Sequence, residues 1–407
     1  MTDEEVDWAR VARMAIRTVR RESVYAEAEA LIKVEPRIQP YLGTMVFTGW
    51  GGSHLSAEQC IRDFLIYRVS RQRGPRSNDY SFDTLYSEFE GFFTSPSVPY
   101  RGLGLLDGFT MAAPTLDLAS GLRIVQLSRV EREELLLHGM NSAMGTSPSS
   151  SGCEEFAVEE KFDEPVLKGA EAKDRLGLSH RARVYQDLSD VLSALRLFRR
   201  GAVWNPRRFY WPLRWIPNRS LTLLSGTGLH PPAGEAYVLD ATGCADFPTF
   251  WNACLERQST KGKRLGIAHT RLEAGYDRRR AEDRVIDCVV GLEALLQPEH
   301  AKTELSYRVS LRGAALLGRT PGERQAVFTE IKRAYDLRSA IVHGDDPEKV
   351  IAKISHEADT TKYLEGLEDL LRRTIRAWTR LRDGMSDREA SQALDQKIIR
   401  GEVLPDT

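Results

Sequence analysis

An arginine and a histidine at R-x4-H spacing are the residues of this sequence whose types best fit a chemical step. A guanidinium binds a phosphate or a carboxylate through two charge-assisted hydrogen bonds, and an imidazole exchanges a proton near neutral pH. The spacing occurs three times in the 407 residues, at Arg175/His180, Arg264/His269 and Arg338/His343. Arginine is abundant in this sequence, so the spacing alone does not identify a functional pair. The residues around each pair have to decide which one is the candidate.

The surroundings favour Arg338. In "TPGERQAVFTEIKRAYDLRSAIVHG", residues 320–344, helical spacing predicts an apolar stripe, and Arg338 lies near its middle. The apolar members of the stripe are Val327, Ile331, Ala334, Ile341 and Val342. A guanidinium in that position is costly unless it is paired or opens onto a solvated, anion-binding surface. Neither Arg175 nor Arg264 lies in a segment that forces it inward in this way.

Each member of the pair has two interpretations. Arg338 either pairs internally with Glu293, which flanks the apolar stripe of a preceding helix, or faces an anion. His343, beside Gly344, either interacts with the carbonyls of a helix end or transfers a proton. On a straight helix about 140° separates the two side chains, so they converge only if the helix end unwinds or a second subunit contributes.

Four amphipathic helices are predicted in the C-terminal part of the chain. They cover residues 283–296, 303–318, 320–344 and 359–383. The second is expected to begin at a Thr303 cap, and the third at a capping box formed by Thr320 and Glu323. Short connections favour a compact four-helix bundle. We therefore place a helical domain at 270–385 and a C-terminal tail at 386–407.

The preceding region, 1–265, is expected to be mixed α/β and of unknown role. Short apolar runs bounded by Gly, Pro and Asn predict strands at 44–50, 122–128, 220–226 and 235–241. Helical spacing appears at 4–33 and 188–201, and 141–152 is expected to be a loop. The fold class predicted for the whole chain is α+β, a mixed N-terminal region followed by an all-α bundle.

Composition limits the classes of function. The 57 basic residues balance 58 acidic ones, so any nucleic-acid binding needs a local patch. The five cysteines include no CxxC pair, which predicts neither a disulfide framework nor a zinc site. The N-terminus "MTDEEVDWAR" is acidic, and no apolar run approaches the ~20 residues that cross a bilayer. A reduced, cytoplasmic protein without a membrane span is expected.

Three blocks of the C-terminal region carry a family resemblance. In this order and spacing, "DRVIDCVVGLEALLQ", "ELSYRVSLRGAALLG" and "IKRAYDLRSAIVHG" resemble the HEPN superfamily, specifically its Apea-like branch. The resemblance covers about 275–385, roughly a quarter of the chain. In that superfamily an R-x4-6-H motif forms the active site of metal-independent ribonucleases, usually across a symmetric dimer. The resemblance therefore implies that Arg338 and His343 are catalytic.

The resemblance also implies partners and supporting residues. RNA carries its own nucleophile, the 2′-hydroxyl, so no metal or cofactor is expected, and a homodimer would form through the bundle. Ser339 occupies the position where many members have Asn, Asp or His, and with Glu293 it is the expected auxiliary residue. Such proteins are commonly phage-defence or toxin effectors, which implies an unidentified trigger or antitoxin.

Alternatives stay open at this stage. Arg308 and Arg312 are candidates either for structural pairing or for contacts to RNA phosphates. The arginines within 277–280 and 372–382 are expected on solvated faces, where they also form the best backbone-binding patch. A non-catalytic HEPN module that binds a nucleotide or a partner protein is the alternative function, and a helical scaffold is a third.

Overall fold

A computed structural model describes most of the chain. The described residues are 20–48, 51–72, 81–118, 121–129, 131–132, 135, 155–168, 180–217, 222–225, 232, 234–258, 262–298, 304–354 and 359–401. The predicted loop 141–152, the proposed cap Thr303 and the first part of the predicted helix at 4–33 lie outside them. No helix within the described residues has the length and apolar character to span a membrane.

Strands and helices alternate irregularly in the first half of the chain, and helices dominate the second. The strands are β1 Met45–Thr48, β2 Gly51–His54, β3 Ser97–Leu106, β4 Phe109–Met111, β5 Thr115–Asp117, β6 Leu122–Gln126, β7 Phe156–Lys168, β8 Arg207–Pro212, β9 Thr222–Ser225 and β10 Tyr237–Leu239. The helices are α1 Ser23–Val34, α2 Ala57–Gln72, α3 Phe82–Thr94, α4 His180–Phe198, α5 Ala241–Gln258, α6 Lys263–Asp277, α7 Ala281–Leu296, α8 Leu305–Leu317, α9 Pro321–Val342, α10 Pro347–Ile354, α11 Thr360–Leu381 and α12 Asp387–Arg400. The fold class is α+β, as the sequence predicted.

The chain folds into two units, each assembled from separate segments. The first contains the described parts of 1–105, 114–190 and 207–226. The second contains those of 106–113, 191–206 and 227–407. Sequence patterns did not predict this interleaving, because they report local structure and not which distant segments pack together.

An eight-stranded sheet forms the centre of the first unit. Its main path is β2-β1-β7-β3-β8-β9, and β6 pairs with β7 and with β5. The long strand β7 pairs antiparallel with β6 near its start, where Phe156 faces Gln126, and with β1 at its end, where Lys168 faces Val46. The strands predicted at 44–50, 122–128 and 220–226 are confirmed as β1, β6 and β9.

Helix α3 supplies an aromatic core to this unit. Ser81 caps the helix by accepting from the Thr84 amide at 3.1 Å. The rings of Phe89 and Phe92 pack edge-on against Trp215, with centroids 4.6 and 5.4 Å away. Trp215 is fully buried, so it stabilises the core of this unit.

The second unit is mainly helical and contains the four helices that the sequence predicted, as α7, α8, α9 and α11. The predicted apolar faces of α7 and α11 are buried as expected. Their buried members are Val285, Val289, Leu292 and Leu296 on α7, and Leu364, Leu367, Leu371, Ile375 and Trp378 on α11. Helix α11 packs against α6, α7 and α8, while α9 packs against α7 and α8.

This unit is larger than the helical domain predicted at 270–385. It also includes helices α5, α6 and α12 and a two-stranded parallel sheet of β4 and β10. Strand β10 confirms the fourth predicted strand, at 235–241. The segment 386–407 was expected to be a tail, yet within it α12 buries Ala390 and Leu394 completely. The tail interpretation is wrong for this helix because these small apolar side chains pack on the core of the unit.

Helices α8 and α9 form a close hairpin. A Cβ on Gly313 would lie 2.2 Å from Cδ1 of the buried Ile331, so any larger residue would force that side chain to move. The predicted capping box is present at the start of α9, where Thr320 accepts from the Glu323 amide and Glu323 accepts from the Thr320 amide. Helix α9 has 22 residues against 13 in α8. Its last turns therefore extend past α8, and Val342, which was predicted to face the core, is exposed.

Candidate functional site

Helix α9 ends in a hydrogen-bonded turn that leaves His343 at the surface. Gly344 adopts φ +93°, its N–H donates to the Ile341 carbonyl at 3.0 Å, and the Asp345 N–H donates to the Ala340 carbonyl at 3.0 Å. This pair of bonds is a Schellman motif. Because backbone groups satisfy these carbonyls, the helix end does not require the His343 imidazole, which is exposed to solvent.

Arg338 is partly buried and is not neutralised within the described residues. Its Nε atom is buried without a hydrogen-bond partner, and no ion pair joins its guanidinium to a described carboxylate. The internal pair with Glu293 that the sequence left open is not formed. An arginine that is neither paired nor fully buried matches the other interpretation, in which the guanidinium faces an anion at the surface.

No hydrogen bond joins Arg338 to His343 within one chain. The α9 helix is continuous to Val342, and His343 itself keeps helical angles of φ −85° and ψ 0°. The helix end therefore does not unwind, and the two side chains leave α9 about 140° apart.

Tyr335, which the sequence analysis did not consider, lies one turn before Arg338. It is 8 % exposed, and its hydroxyl makes no hydrogen bond of regular geometry, although the Glu293 carboxylate lies close enough to interact with it. Burial, reinforced by the neighbouring carboxylate of Glu293, raises the pKa of this hydroxyl, and the Arg338 charge acts in the opposite direction. Tyr335 is therefore a neutral phenol close to both the Glu293 carboxylate and the Arg338 guanidinium. The signal that could have found it is its i, i+3 spacing from Arg338.

Arg308 and Arg312, the two candidate phosphate contacts, have different environments. Arg312 is 2 % exposed; it forms an ion pair with Asp395, and it donates to Ser391 Oγ at 2.7 Å. Arg312 is therefore a structural residue and not a candidate RNA contact, because its guanidinium links α8 to α12. Arg308 keeps 43 % of its side chain exposed and has a loose i, i+4 pair with Glu304 at 3.8 Å.

The candidate site is the end of the α8/α9 hairpin. In a hairpin of antiparallel helices, the start of α8 and the end of α9 lie at the same end. Arg308 is in the first turn of α8, and Arg338, Ser339 and His343 belong to the last turns of α9 or directly follow them. Ser339 is exposed beside Arg338. The start of α8 thus carries one guanidinium, and the end of α9, which extends past it, carries a second guanidinium and a hydroxyl and is followed by the imidazole.

A buried polar cluster, which the sequence did not predict, lies elsewhere in the second unit. Arg372 is 3 % exposed and donates to the Arg196 carbonyl at 2.6 Å, to Asp369 at 2.7 Å and to the Tyr276 hydroxyl at 2.9 Å. Beside it the Arg284 Nε donates to Glu368 at 2.8 Å. The expectation that the arginines of 372–382 all lie on solvated faces is wrong for Arg372.

A small cavity of about 40 Å³ adjoins this cluster, with Arg200, Tyr276, Glu365, Glu368 and Arg372 among its lining residues. Glu365 pairs with Arg200 and accepts from the Glu235 amide at 3.0 Å. The volume holds roughly three water molecules, and the charges around it are already paired. The cavity therefore fits hydration of a structural network better than binding of an organic substrate.

Within the described residues no group of three or more His, Cys, Asp or Glu side chains could hold a metal ion. No family model, curated protein or solved structure matches the chain. The candidate function accordingly depends on the chemistry of the residues at the end of the hairpin.

Proposed function

We propose that this protein is a metal-independent endoribonuclease whose second unit contains a HEPN-type bundle formed by α7, α8, α9 and α11. The observation that carries the proposal is Arg338, a partly buried guanidinium without a carboxylate partner among the described residues, on the same helix end as the exposed His343. The order of the three sequence blocks supports the same assignment. RNA is the substrate, and a symmetric homodimer is the active form.

The proposed reaction is an internal transfer at phosphorus. The 2′-oxygen forms a bond to the adjacent phosphorus while the bond from phosphorus to the 5′-oxygen breaks. His343 of one copy takes the proton of the 2′-hydroxyl, and His343 of the other copy gives a proton to the departing 5′-oxygen. The products are a 2′,3′-cyclic phosphate and a 5′-hydroxyl, and no water, metal or redox partner is consumed.

Arg338 supplies charge stabilisation in this scheme. Its terminal N–H groups donate two charge-assisted hydrogen bonds to the non-bridging oxygens, where negative charge grows in the transition state. An arginine already paired with Glu293 would be a poorer ligand for phosphate, because binding would have to break that pair. Arg308 extends the positive surface toward the neighbouring phosphate, and Ser339 is an auxiliary hydroxyl.

A dimer resolves the separation of the two side chains on one helix. Two copies that meet around the α9 ends would place the Arg338 of each beside the His343 of the other. In this proposal the first unit responds to a trigger or restrains activity, as expected for an effector of phage defence or a toxin.

The test is cleavage of labelled RNA in EDTA by purified protein, with the dimer verified by light scattering. Arg338→Ala and His343→Gln should each lose at least about 100-fold in rate, because each removes a group that acts in the transition state. Lys332→Ala is the matched control, since it removes one exposed positive charge from α9 and should retain wild-type activity. Cleavage that persists equally in all variants would come from a contaminant and would refute the proposal.

A non-catalytic role is the second candidate. The 140° separation of Arg338 and His343 on a regular helix favours it, because a monomer could bind a nucleotide phosphate through Arg338 without using His343. A protein that binds RNA through Arg338, stays monomeric and never cleaves would support this binding module.

A further inference from the structure

Two buried polar atoms without a hydrogen bond of regular geometry lie one turn apart on α9, the Tyr335 hydroxyl, which Glu293 approaches, and Arg338 Nε. Buried polar atoms in folded proteins are nearly always hydrogen-bonded, so an unsatisfied pair at one place needs a physical explanation. The unpartnered indole nitrogen of Trp378 differs, because it is a single donor among apolar side chains of the core. At positions 335 and 338, by contrast, the two atoms are complementary. The Arg338 Nε–H can only donate a hydrogen bond, whereas the Tyr335 hydroxyl can donate one and accept another.

The spacing and the charges around these atoms favour a relay, that is, a chain of hydrogen bonds from Glu293 through Tyr335 to Arg338. Residues at i and i+3 project from the same face of a helix, about 5–6 Å apart at Cβ. Glu293, on the packed helix α7, approaches the Tyr335 hydroxyl and makes no ion pair with a described cation. The phenol thus has a carboxylate and a guanidinium as neighbours, and it has both a proton to donate and lone pairs to accept with.

We propose that Tyr335 is the positioning residue for Arg338: its hydroxyl donates to Glu293 and accepts from Arg338 Nε–H when Arg338 binds an RNA phosphate. This inference rests on the proposed function for the identity of the ligand. The phosphate would draw the two terminal nitrogens of Arg338 outward. The hydrogen bond from Nε–H to the Tyr335 hydroxyl would then fix the orientation of the guanidinium plane. Arg338 Nε, which makes no hydrogen bond in the free protein, thereby gains a partner in the complex, and the Tyr335 hydroxyl keeps Glu293 as its acceptor.

The phenol also explains how Arg338 stays available. Glu293 acts on Arg338 through the neutral Tyr335 side chain. It therefore orients the guanidinium without forming a direct ion pair, which phosphate binding would have to break. Replacing the tyrosine with phenylalanine keeps the ring in its packed position and removes only the relay. A small residue at 335 would instead open space for Glu293 and Arg338 to approach one another.

The experiment measures binding separately from cleavage. A fluorescein-labelled 2′-O-methyl RNA lacks the attacking hydroxyl, so its affinity is read by anisotropy in EDTA without turnover. The proteins are wild type, Tyr335→Phe, Glu293→Gln, Arg338→Ala and the double variant Tyr335→Phe/Arg338→Ala. Tyr307→Phe is the matched control, because it removes the hydroxyl of a tyrosine that is 57 % exposed on α8. Thermal melting establishes that each variant is folded.

We expect Tyr335→Phe to weaken binding about tenfold, as for loss of a hydrogen bond to a charged group, and Glu293→Gln to weaken it less. Tyr307→Phe should have no effect. In the Arg338→Ala background the Tyr335→Phe change should have no further effect, since a residue that acts through Arg338 has nothing left to position. A purely structural tyrosine would weaken binding equally in both backgrounds.

The two failures are distinguishable. If Arg338→Ala weakens binding and Tyr335→Phe does not, or if the effects of the two changes add, the positioning role is overturned while the proposed RNA site stands. If Arg338→Ala leaves affinity unchanged, the RNA site itself is wrong and the positioning role with it.

Discussion

Glu293 on α7 lies beside Tyr335 on α9 and makes no ion pair with Arg338, which follows Tyr335 by one helical turn. The carboxylate is thus close to the guanidinium in the fold without neutralising it. A buried arginine normally needs such a pair, because removing a guanidinium from water costs several kcal/mol. Arg338 avoids most of that cost by being only partly buried at the overhanging end of α9.

The first prediction contrasts two arginines of the second unit. Arg338→Ala should change the free energy of unfolding by less than about 1 kcal/mol, because no ion pair is lost. Arg372→Ala should cost about 3–5 kcal/mol, because Tyr276, Asp369 and a buried carbonyl lose their donor.

Urea unfolding of both variants, followed by circular dichroism, measures this contrast. A loss of several kcal/mol in Arg338→Ala would mean that Arg338 has a structural partner, and it would weaken the case for an anion-binding role.

The second prediction concerns the close contact of α8 and α9. Gly313→Ala should destabilise the protein by about 1–3 kcal/mol, since the new methyl group collides with Ile331. Gly366→Ala, in the interior of α11 with open space around its Cβ position, should instead stabilise by about 0.5–1 kcal/mol. Thermal unfolding of the two variants provides the comparison, and a neutral Gly313→Ala would show that the two helices can separate at little cost.

Local features of the second unit followed from the sequence, and the capping box of α9 illustrates why. The Thr320 and Glu323 side chains bond to backbone groups three residues away, so the signal and the structure occupy the same short segment. The buried faces of α7 and α11 were predicted for the same reason, because helical periodicity alone sets which residues share a face.

Long-range contacts did not follow from the sequence. Arg372 donates to the carbonyl of Arg196, 176 residues earlier, and no periodicity in α11 indicates that this carbonyl lies above it. Arg312 is similar, since its partners Ser391 and Asp395 belong to a segment expected to be a tail. At the candidate site, Arg338 and His343 were identified from their context, but the neighbouring Tyr335 was missed because its i, i+3 spacing from Arg338 does not show that its hydroxyl is buried.

The third prediction separates Arg308 from Arg312. Arg308→Ala should keep wild-type stability and weaken RNA binding several-fold, with a reduced salt dependence, because it removes one exposed charge next to the site. Arg312→Ala should lower stability by about 2–4 kcal/mol, as it leaves the α8/α12 contact without its ion pair.

Affinity for 2′-O-methyl RNA at several salt concentrations, together with urea unfolding, distinguishes the two residues. If Arg308→Ala binds RNA like the wild type at every salt concentration, the start of α8 is not part of the RNA surface.

The fourth prediction concerns pH and the first unit. Glu160 on β7 is 5 % exposed, and one of its carboxylate oxygens is buried without a hydrogen-bond partner. Burial raises the pKa of Glu160 to about 7 from an ordinary value of 4.5; the Asp187 charge contributes in the same direction and Arg183 opposes it. A carboxyl whose pKa is raised by folding stabilises the fold most below about pH 4.5, and this contribution is lost as the pH rises to about 7.

Glu160→Gln should remove this dependence, because an amide does not titrate. At pH 8 the variant should exceed the wild type by on the order of 2 kcal/mol, and near pH 4 the two proteins should differ little. The control is Glu155→Gln, at a carboxylate that is 51 % exposed beside Arg132, which should behave like the wild type at both pH values. Calorimetric unfolding from pH 4 to 8 provides the measurement, and parallel pH profiles for the wild type and Glu160→Gln would show that folding does not shift the pKa of Glu160.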